Sequence, residues 1–460
     1  MVGALHVQRR DDTGRGFKPT KRGIFPLIAG LVFAALAIAQ DLPPGVLLLS
    51  QVKRHVQGEL QRLPNVSCLE TVHRQYRPAK GTLAPLDTIR LEVLTNGNKE
   101  LYASPGDRKF SENHPSSFAG SGALGDGLFG LYLRTILVTG SVSNRYIGEE
   151  AVAGRRLARW DYRLPVMWSG QTVQTPEGSG KVGLHGSYWA DPQTLDVARL
   201  ELDAEDIPPA MAVTEMVTAI DYARTRLGDN LEVLLPESAE FRLVKASGET
   251  FDNRIEFTHC RVYGADTSID FGAPGAAGQP ARFGAATVDD TLRPLPAGLE
   301  IAVKLRSRVT SDMAVGALID GVVASNAAAK GTVVIAAGSA VRGRIRRLEH
   351  YADPIPYIVV GLEFTEVEQE GIRYRFFANV VEIGAAPGVE QALHTTFQAS
   401  ASGSGGASNA GPWAIGGLRQ TSETIRTNNL PGVATFFFHG DKLDLPVGFR
   451  TLWKTLPLAP

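Results

Sequence analysis

Along the chain, one period of apolar positions gives way to another. Leu49, Val52, Val56, Leu60 and Leu63 recur at helical spacing and predict an amphipathic helix over about 46–62, ended by Pro64. Alternation follows. Ile89, Leu91 and Val93 alternate with Arg90 and Glu92, and Asn96-Gly97 predicts a hairpin turn. Short strands are expected near 142–147, 155–164, 181–190, 195–204, 213–224, 230–235, 239–245, 252–262 and 266–271, with Asp191-Pro192 and Gly228-Asp229 as turns. One stretch in this half differs. "LFGLYLRTILV" at 128–138 is apolar nearly all round, as a buried helix is.

Two stretches interrupt the pattern. Residues 272–290 are rich in Gly, Ala and Pro, and "ASASGSGGASNAG" at 399–411 is of low complexity. A second strand-rich block lies between them. Two tail strands follow, "ATFFFHG" at 434–440 and "FRTLWKT" at 449–455. The expected fold class is mainly β (α+β): a large antiparallel sheet with N-terminal and inserted helices, followed by a smaller β-domain; the family resemblances described below imply that these are an antiparallel half-barrel and a smaller β-barrel domain. The half-barrel is expected over 46–271, a linker over 272–293, the small barrel over 294–385, a low-complexity loop over 386–430, and a terminal hairpin completing the barrel over 431–456.

The N-terminal 1–39 read as a targeting segment. Arg9, Arg10, Arg15, Lys18, Lys21 and Arg22 precede the apolar run 23–39, which ends in Ala37-Ile38-Ala39. A basic region, an apolar core and a small-x-small site predict a secretory signal peptide. An uncleaved N-terminal anchor is the alternative, and would be the chain's one membrane contact. Either reading places the bulk of the chain in the periplasm or cell envelope. The formal net charge is −1, so no basic excess suggests nucleic acid. Two cysteines, Cys68 and Cys260, permit a disulfide in an exported chain; two buried thiols are the alternative.

Chemistry-bearing motifs are sparse. None of the nine histidines stands in a metal-ligand spacing, so no metal site and no cofactor are expected, and His185 and His259 read as strand residues. Ser50 and Lys53 spell S-x-x-K without a later K-T-G, and no G-x-S-x-G occurs. Glu149-Glu150 and Asp289-Asp290 read as solvated acids beside turns. Gly120, Gly122 and Gly125 spell G-x-G-x-x-G, but "SENHPSSFA" before them is no strand, and a dinucleotide fingerprint needs one. These glycines predict a sharply turning entry to the buried helix. No catalytic residue is assigned, and the chain reads as non-enzymatic.

A curved sheet around that helix would bury it as plain core or, on the sharper reading, leave beside it an apolar groove that accepts an acyl chain. Its expected lining is Leu128, Phe129, Leu133, Ile136 and Leu137 on the helix, with Trp160, Tyr162, Tyr188 and Trp189 on nearby strands. "GSYWADPQTLDVARLELD" at 186–203 carries Trp189, Asp191, Leu195 and Arg199 at the positions of a hairpin in the outer-membrane lipoprotein-carrier fold. In this, residues 46–271 resemble the LolA/LolB type. The resemblance implies a concavity that takes a lipid or acylated protein. Residues 295–313, "LPAGLEIAVKLRSRVTSDM", and 331–345, "GTVVIAAGSAVRGRI", resemble the β-barrel of the TrbI-like type IV secretion core family. The expectation is an exported envelope protein binding a hydrophobic or acylated ligand. The alternative is a scaffold of an envelope or secretion complex acting through envelope protein partners.

Overall fold

The computed structural model describes residues 43–264, 292–390, 414–415, 418–419 and 432–457, apart from 98, 108, 111–114, 140, 176–177, 229–230 and 353–354. The expected signal segment, the strand at 266–271 and most of the expected linker and low-complexity loop lie outside the described residues. From Pro44 onward the chain clusters as one unit. Among the described residues, no helix is long and apolar enough to cross a membrane.

The predicted first helix, α1, spans Pro44–Arg62 and buries Val52 and Val56. The strands after it are β1 (Val66–Arg77), β2 (Ala84–Asn96), β3 (Lys99–Ala103), β4 (Ser143–Val152) and β5 (Arg155–Leu164). A side ribbon follows, β6 (Thr172–Thr175) with β7 (Gly178–Lys181). Then come β8 (Gly183–Ala190), β9 (Val197–Glu205), β10 (Val213–Leu227), β11 (Leu231–Lys245) and β12 (Thr250–Val262). Without the side ribbon they form one ten-stranded sheet in the order β3-β2-β1-β12-β11-β10-β9-β8-β5-β4. Every neighbouring pair is antiparallel. The sheet curls without closing, a half-barrel.

Two local predictions meet the structure differently. The Asn96-Gly97 turn joins β2 to β3, with Gly97 at a φ of 62° that glycine takes without strain. The two strands expected at 230–235 and 239–245 are one strand, β11. Pro236 interrupts the apolar pattern but not the strand: β12 pairs with β11 only from Ser238 onward, and the pairing with β10 shifts register beside Pro236, where a strand tolerates proline.

One connection decides where the plug lies. Strands β3 and β4 are consecutive in the chain yet stand at opposite edges of the sheet. The segment 104–142 between them has to pass from one edge to the other, and its Ser121, Ala123, Leu128 and Phe129 meet Arg74, Asn253, Tyr222 and Phe257 on the concave face. It carries a turn of 3-10 helix at Pro115–Phe118, an α turn at Leu131–Leu133 and a π-helix at Arg134–Val138. The predicted buried helix is thus real but short and wide in its turn, and α1 packs against it.

The second block of strands begins with β13 (Arg293–Pro294), β14 (Glu300–Leu305), β15 (Val309–Thr310), β16 (Leu318–Val323), β17 (Ala327–Ala329) and β18 (Thr332–Ile335), of which β15, β17 and β18 stand outside its main sheet. It continues with β19 (Ala340–Tyr351), β20 (Tyr357–Gln369), β21 (Ile372–Arg375), β22 (Ala378–Ile383) and β23 (Val389–Glu390). After the small pair β24 (Ala414–Ile415) and β25 (Leu418–Arg419) come β26 (Val433–His439), β27 (Asp444–Leu445) and β28 (Arg450–Thr455). Its main path runs β13-β21-β20-β19-β16-β14-β28-β22, with β26 on β20 and β23. The path curls until β22 returns beside β26. Trp453, Phe364 and Phe376 meet edge-on at its centre, with ring centroids 5.4 to 6.0 Å apart.

The tail corrects one expectation. The terminal strands do not form a hairpin with each other. Strand β26 pairs with β20 and β23, while β28 pairs with β14 and β22. Apolar alternation marks both as strands but carries no information about their partners.

Candidate functional site

The concavity is filled from the plug outward. Leu128, Phe129, Leu133, Ile136 and Leu137 are each no more than 3% exposed. Phe129 meets Phe257 of β12 edge-on, with centroids 5.0 Å apart. From the sheet, Trp160 stacks on Tyr188 at 5.5 Å and Tyr162 lies 6.2 Å from Tyr188. Their polar ends are satisfied locally. Trp160 Nε1 donates to the Gly45 carbonyl, Tyr188 to Asn144 and Tyr162 to the Glu201 carbonyl. Eight of the nine predicted lining residues thus come together in the concavity, as packed core.

Trp189 is the exception. It follows Tyr188 in β8, and successive strand residues point to opposite faces. Its indole lies on the convex face, with the Arg159 guanidinium 5.2 Å over the ring and Glu150 accepting from Nε1. Period two already forbids Tyr188 and Trp189 from sharing one groove.

The entry to the plug is held by an acid. Glu100 accepts from the backbone N–H groups of Gly127 and Phe129 at 2.8 and 2.9 Å, and from the Tyr102 hydroxyl at 2.7 Å. Nearby stands Glu70, 2% exposed, whose Oε1 has no hydrogen-bond partner. Burial, with the charges of Glu100 and Asp126, pushes its carboxyl up to about 8. At neutral pH it is therefore largely a neutral acid in the apolar interior.

Upstream of the plug, the same segment meets a buried charged junction with the barrel. Arg74 grips Asp87 with two hydrogen bonds at 2.5 and 2.6 Å and donates to the Ser121 carbonyl. Arg347 donates to Glu349 at 2.7 Å, with side chains 3% and 0% exposed. Burial alone would raise the Glu349 carboxyl, but Arg347 and Arg74 outweigh it and hold it below the usual range. The Tyr351 hydroxyl lies 3.1 Å from that carboxylate and donates to it. It therefore accepts from Ser121 Oγ, 3.2 Å away.

This junction explains two glycines of the G-x-G-x-x-G run. A Cβ at Gly120 would overlap Arg347 Nε and Glu349 Oε1. Gly122 has a φ of 75°, and a Cβ there would stand 2.7 Å from the Phe251 ring. The glycines serve close approach to side chains, and no strand runs into Gly120. The Cys68–Cys260 disulfide is present and joins β1 to β12 beside a β-bulge.

Glu70, Arg74, Glu349 and Tyr351 stand in no sequence motif. A signal for the first two was present. In β1 they occupy the inward phase shared by Val66, Cys68, Val72 and Tyr76, where a charge is costly without a partner. In β19 a register shift between Ile345 and Arg347 inverts the phase. That turns Arg347, Glu349 and Tyr351 toward the half-barrel, and sequence periodicity does not announce it. The remaining motifs stay apart from the concavity. Ser50 donates back to the Leu47 carbonyl within α1, and Glu149 pairs with Arg156 at the surface. Asp289-Asp290 lies outside the described residues.

A second concavity separates the convex face of the half-barrel from the barrel. It is a cleft of about 710 Å³ lined by residues including His73, Asp252, Arg254, Asp312 and His350. Its wall mixes charges of both signs. Among the described residues, no group of three or more His, Cys, Asp and Glu side chains is placed to hold a metal ion.

No protein-family model and no curated protein matches the chain. Solved structures to which the chain is similar include an outer membrane lipoprotein-sorting protein domain from Vibrio parahaemolyticus. It has 9% identity and a TM-score of 0.26, and the match covers 46% of this chain and 90% of that one. A LolA superfamily protein from Nitrosomonas europaea matches at 10% identity and a TM-score of 0.23, over 47% and 94%. The Mycobacterium tuberculosis lipoprotein LppX matches at 12% identity and 0.17, over 46% and 94%. The resemblance of 294–384 to the TrbI-like family has no counterpart among these three.

Proposed function

We propose that the chain is a non-enzymatic, exported cell-envelope protein whose half-barrel receives a hydrophobic or acylated ligand. The observation that carries this reading is the plug itself. An open antiparallel sheet has an apolar and aromatic concave face, and a short connecting segment fills it. That segment is a single turn of α-helix and a π-helix, entered through glycines. A helix this short has little stability of its own and depends on what it packs against. An acyl chain offers the same apolar contacts and can take the place of Leu133, Ile136 and Leu137.

The test uses the full chain, refolded without lipid and titrated with a fluorescent long-chain fatty acid. Saturable binding, with faster amide exchange in 128–138 and unchanged exchange in β8 to β10, supports the reading. No saturable binding, together with no extractable lipid in protein purified from its own envelope, overturns it.

A scaffold acting through protein contacts is the second reading, favoured by one feature. Met167 and Trp168 are 75% and 62% exposed. They sit on a turn braced by Ser169, whose hydroxyl donates to the Val182 carbonyl, and closed by Gly170 at a φ of 63°. Stoichiometric envelope partners lost on replacing both residues with Ser would select this reading.

A further inference from the structure

The segment that plugs the half-barrel is fastened by the other module before it reaches the concavity. Arg344 of β19, 7% exposed, forms an ion pair with Asp107. Arg346 lies 5.7 Å over the Phe118 ring. Ser121 hydrogen-bonds Tyr351, whose ring stacks on Tyr357 at 4.9 Å and meets Tyr76 of β1 at 5.8 Å. The free stretch of the β2 edge is also occupied by the barrel. Arg90 N–H donates to the Val315 carbonyl at 3.0 Å, and Val315 N–H to the Thr88 carbonyl at 2.8 Å. Gly316 makes this approach possible, since a Cβ there would stand 2.6 Å from the Arg90 carbonyl oxygen.

We propose that the barrel is a latch on the plug: segment 119–138 leaves the concavity only when the chain Ser121–Tyr351–Glu349–Arg347 releases it. Three physical points carry this. The linkage is short. Between Ser121 and Leu128 the backbone is held again, because Asn253 Nδ2 donates to the Ala123 carbonyl at 2.8 Å, so the plug has little slack once Ser121 is held. The linkage is also discrete. A buried polar network is either satisfied or broken, and intermediate positions leave Glu349 or Tyr351 without a partner. Finally, the approach is close. Gly120 and Gly122 let the backbone lie directly against Arg347, Glu349 and Phe251, so the segment cannot shift there without displacing them. Displacement of the plug and loosening of the barrel contact are then one event. The consequence for ligand entry rests on the concavity reading above; the latch itself does not.

The experiment is amide exchange by mass spectrometry on the full chain without ligand, comparing wild type with Tyr351→Phe and Gly120→Ala. Tyr351→Phe keeps the ring stacks and removes only the hydroxyl link, so it serves even if Gly120→Ala does not fold. The latch predicts exchange in 124–138 faster by about fivefold in Tyr351→Phe, the factor expected for one hydrogen bond. A larger increase is expected in Gly120→Ala, and β8 to β11 should not change in either. Unchanged exchange in 124–138, or an equal increase across every strand, overturns the proposal. Fatty-acid binding measured on the same samples separates the two readings. A plug that opens without binding the probe leaves the latch standing and removes the acyl ligand.

Discussion

Ser121 Oγ stands 3.2 Å from the Tyr351 hydroxyl, although 230 residues separate the two in the chain. The contact joins the loop that enters the half-barrel to a strand of the second module. It ends on Glu349, a carboxylate with 0% exposure. The stability of this junction depends on every member keeping its partner.

Arg347→Met removes the main partner of Glu349 and leaves a buried charge uncompensated. The expected cost is about 3–5 kcal/mol. Adding Glu349→Leu should recover most of it, because an apolar pair needs no hydrogen bonds. Urea denaturation of both single variants and the double variant checks this. A double variant as unstable as Arg347→Met would refute it.

Glu70 makes stability depend on pH. Its carboxyl is raised from 4.5 to about 8 by burial, then by Glu100 and Asp126. A raised folded-state value means the fold favours the protonated acid. Its contribution is therefore fully present below 4.5 and is lost as the pH rises through about 8. Glu70→Gln should flatten this dependence and raise stability most at pH 8 and above. Chemical denaturation midpoints measured across that window provide the check.

Reducing the Cys68–Cys260 bond frees a loop with a sequence separation of 192. Cys68→Ala with Cys260→Ala is expected to cost about 2–5 kcal/mol, as loss of a native disulfide commonly does. Wild type in reductant should melt at the temperature of the double variant in its absence. A melting temperature unmoved by reductant would contradict the expectation.

Trp160 and Trp189 lie on opposite faces of the half-barrel and should report ligand entry differently. A brominated fatty acid bound in the concavity quenches an indole in contact with it. A chain keeping Trp160 as its only tryptophan, with the others replaced by Phe, should be quenched. One keeping only Trp189 should not. Equal quenching would place the probe elsewhere.

The elements themselves were readable because their signals are local. The helical spacing of Val52 and Val56 marked α1, and alternation marked most strands of the sheet. Glycines before an all-apolar run marked the plug. Even the charges at Glu70 and Arg74 stood in an inward phase. The pairing of β26 and β28 was not readable, because alternation marks a strand and leaves its neighbour open. Nor was the face presented by Arg347, Glu349 and Tyr351, since a single register shift reversed it.

By itself, then, the sequence determined the kinds of element, a large share of antiparallel strand and an apolar segment that had to be buried. Those properties follow from side-chain period and composition, which each stretch carries alone. The tertiary structure decided where that segment lies. Strands β3 and β4 take opposite edges of one sheet, so their connection must run from edge to edge, and its plug packs on the concave face. Only then do Gly120, Ser121 and Tyr351 meet. Contacts between residues so distant in the chain are set by strand order, and strand order is a property of the whole sheet.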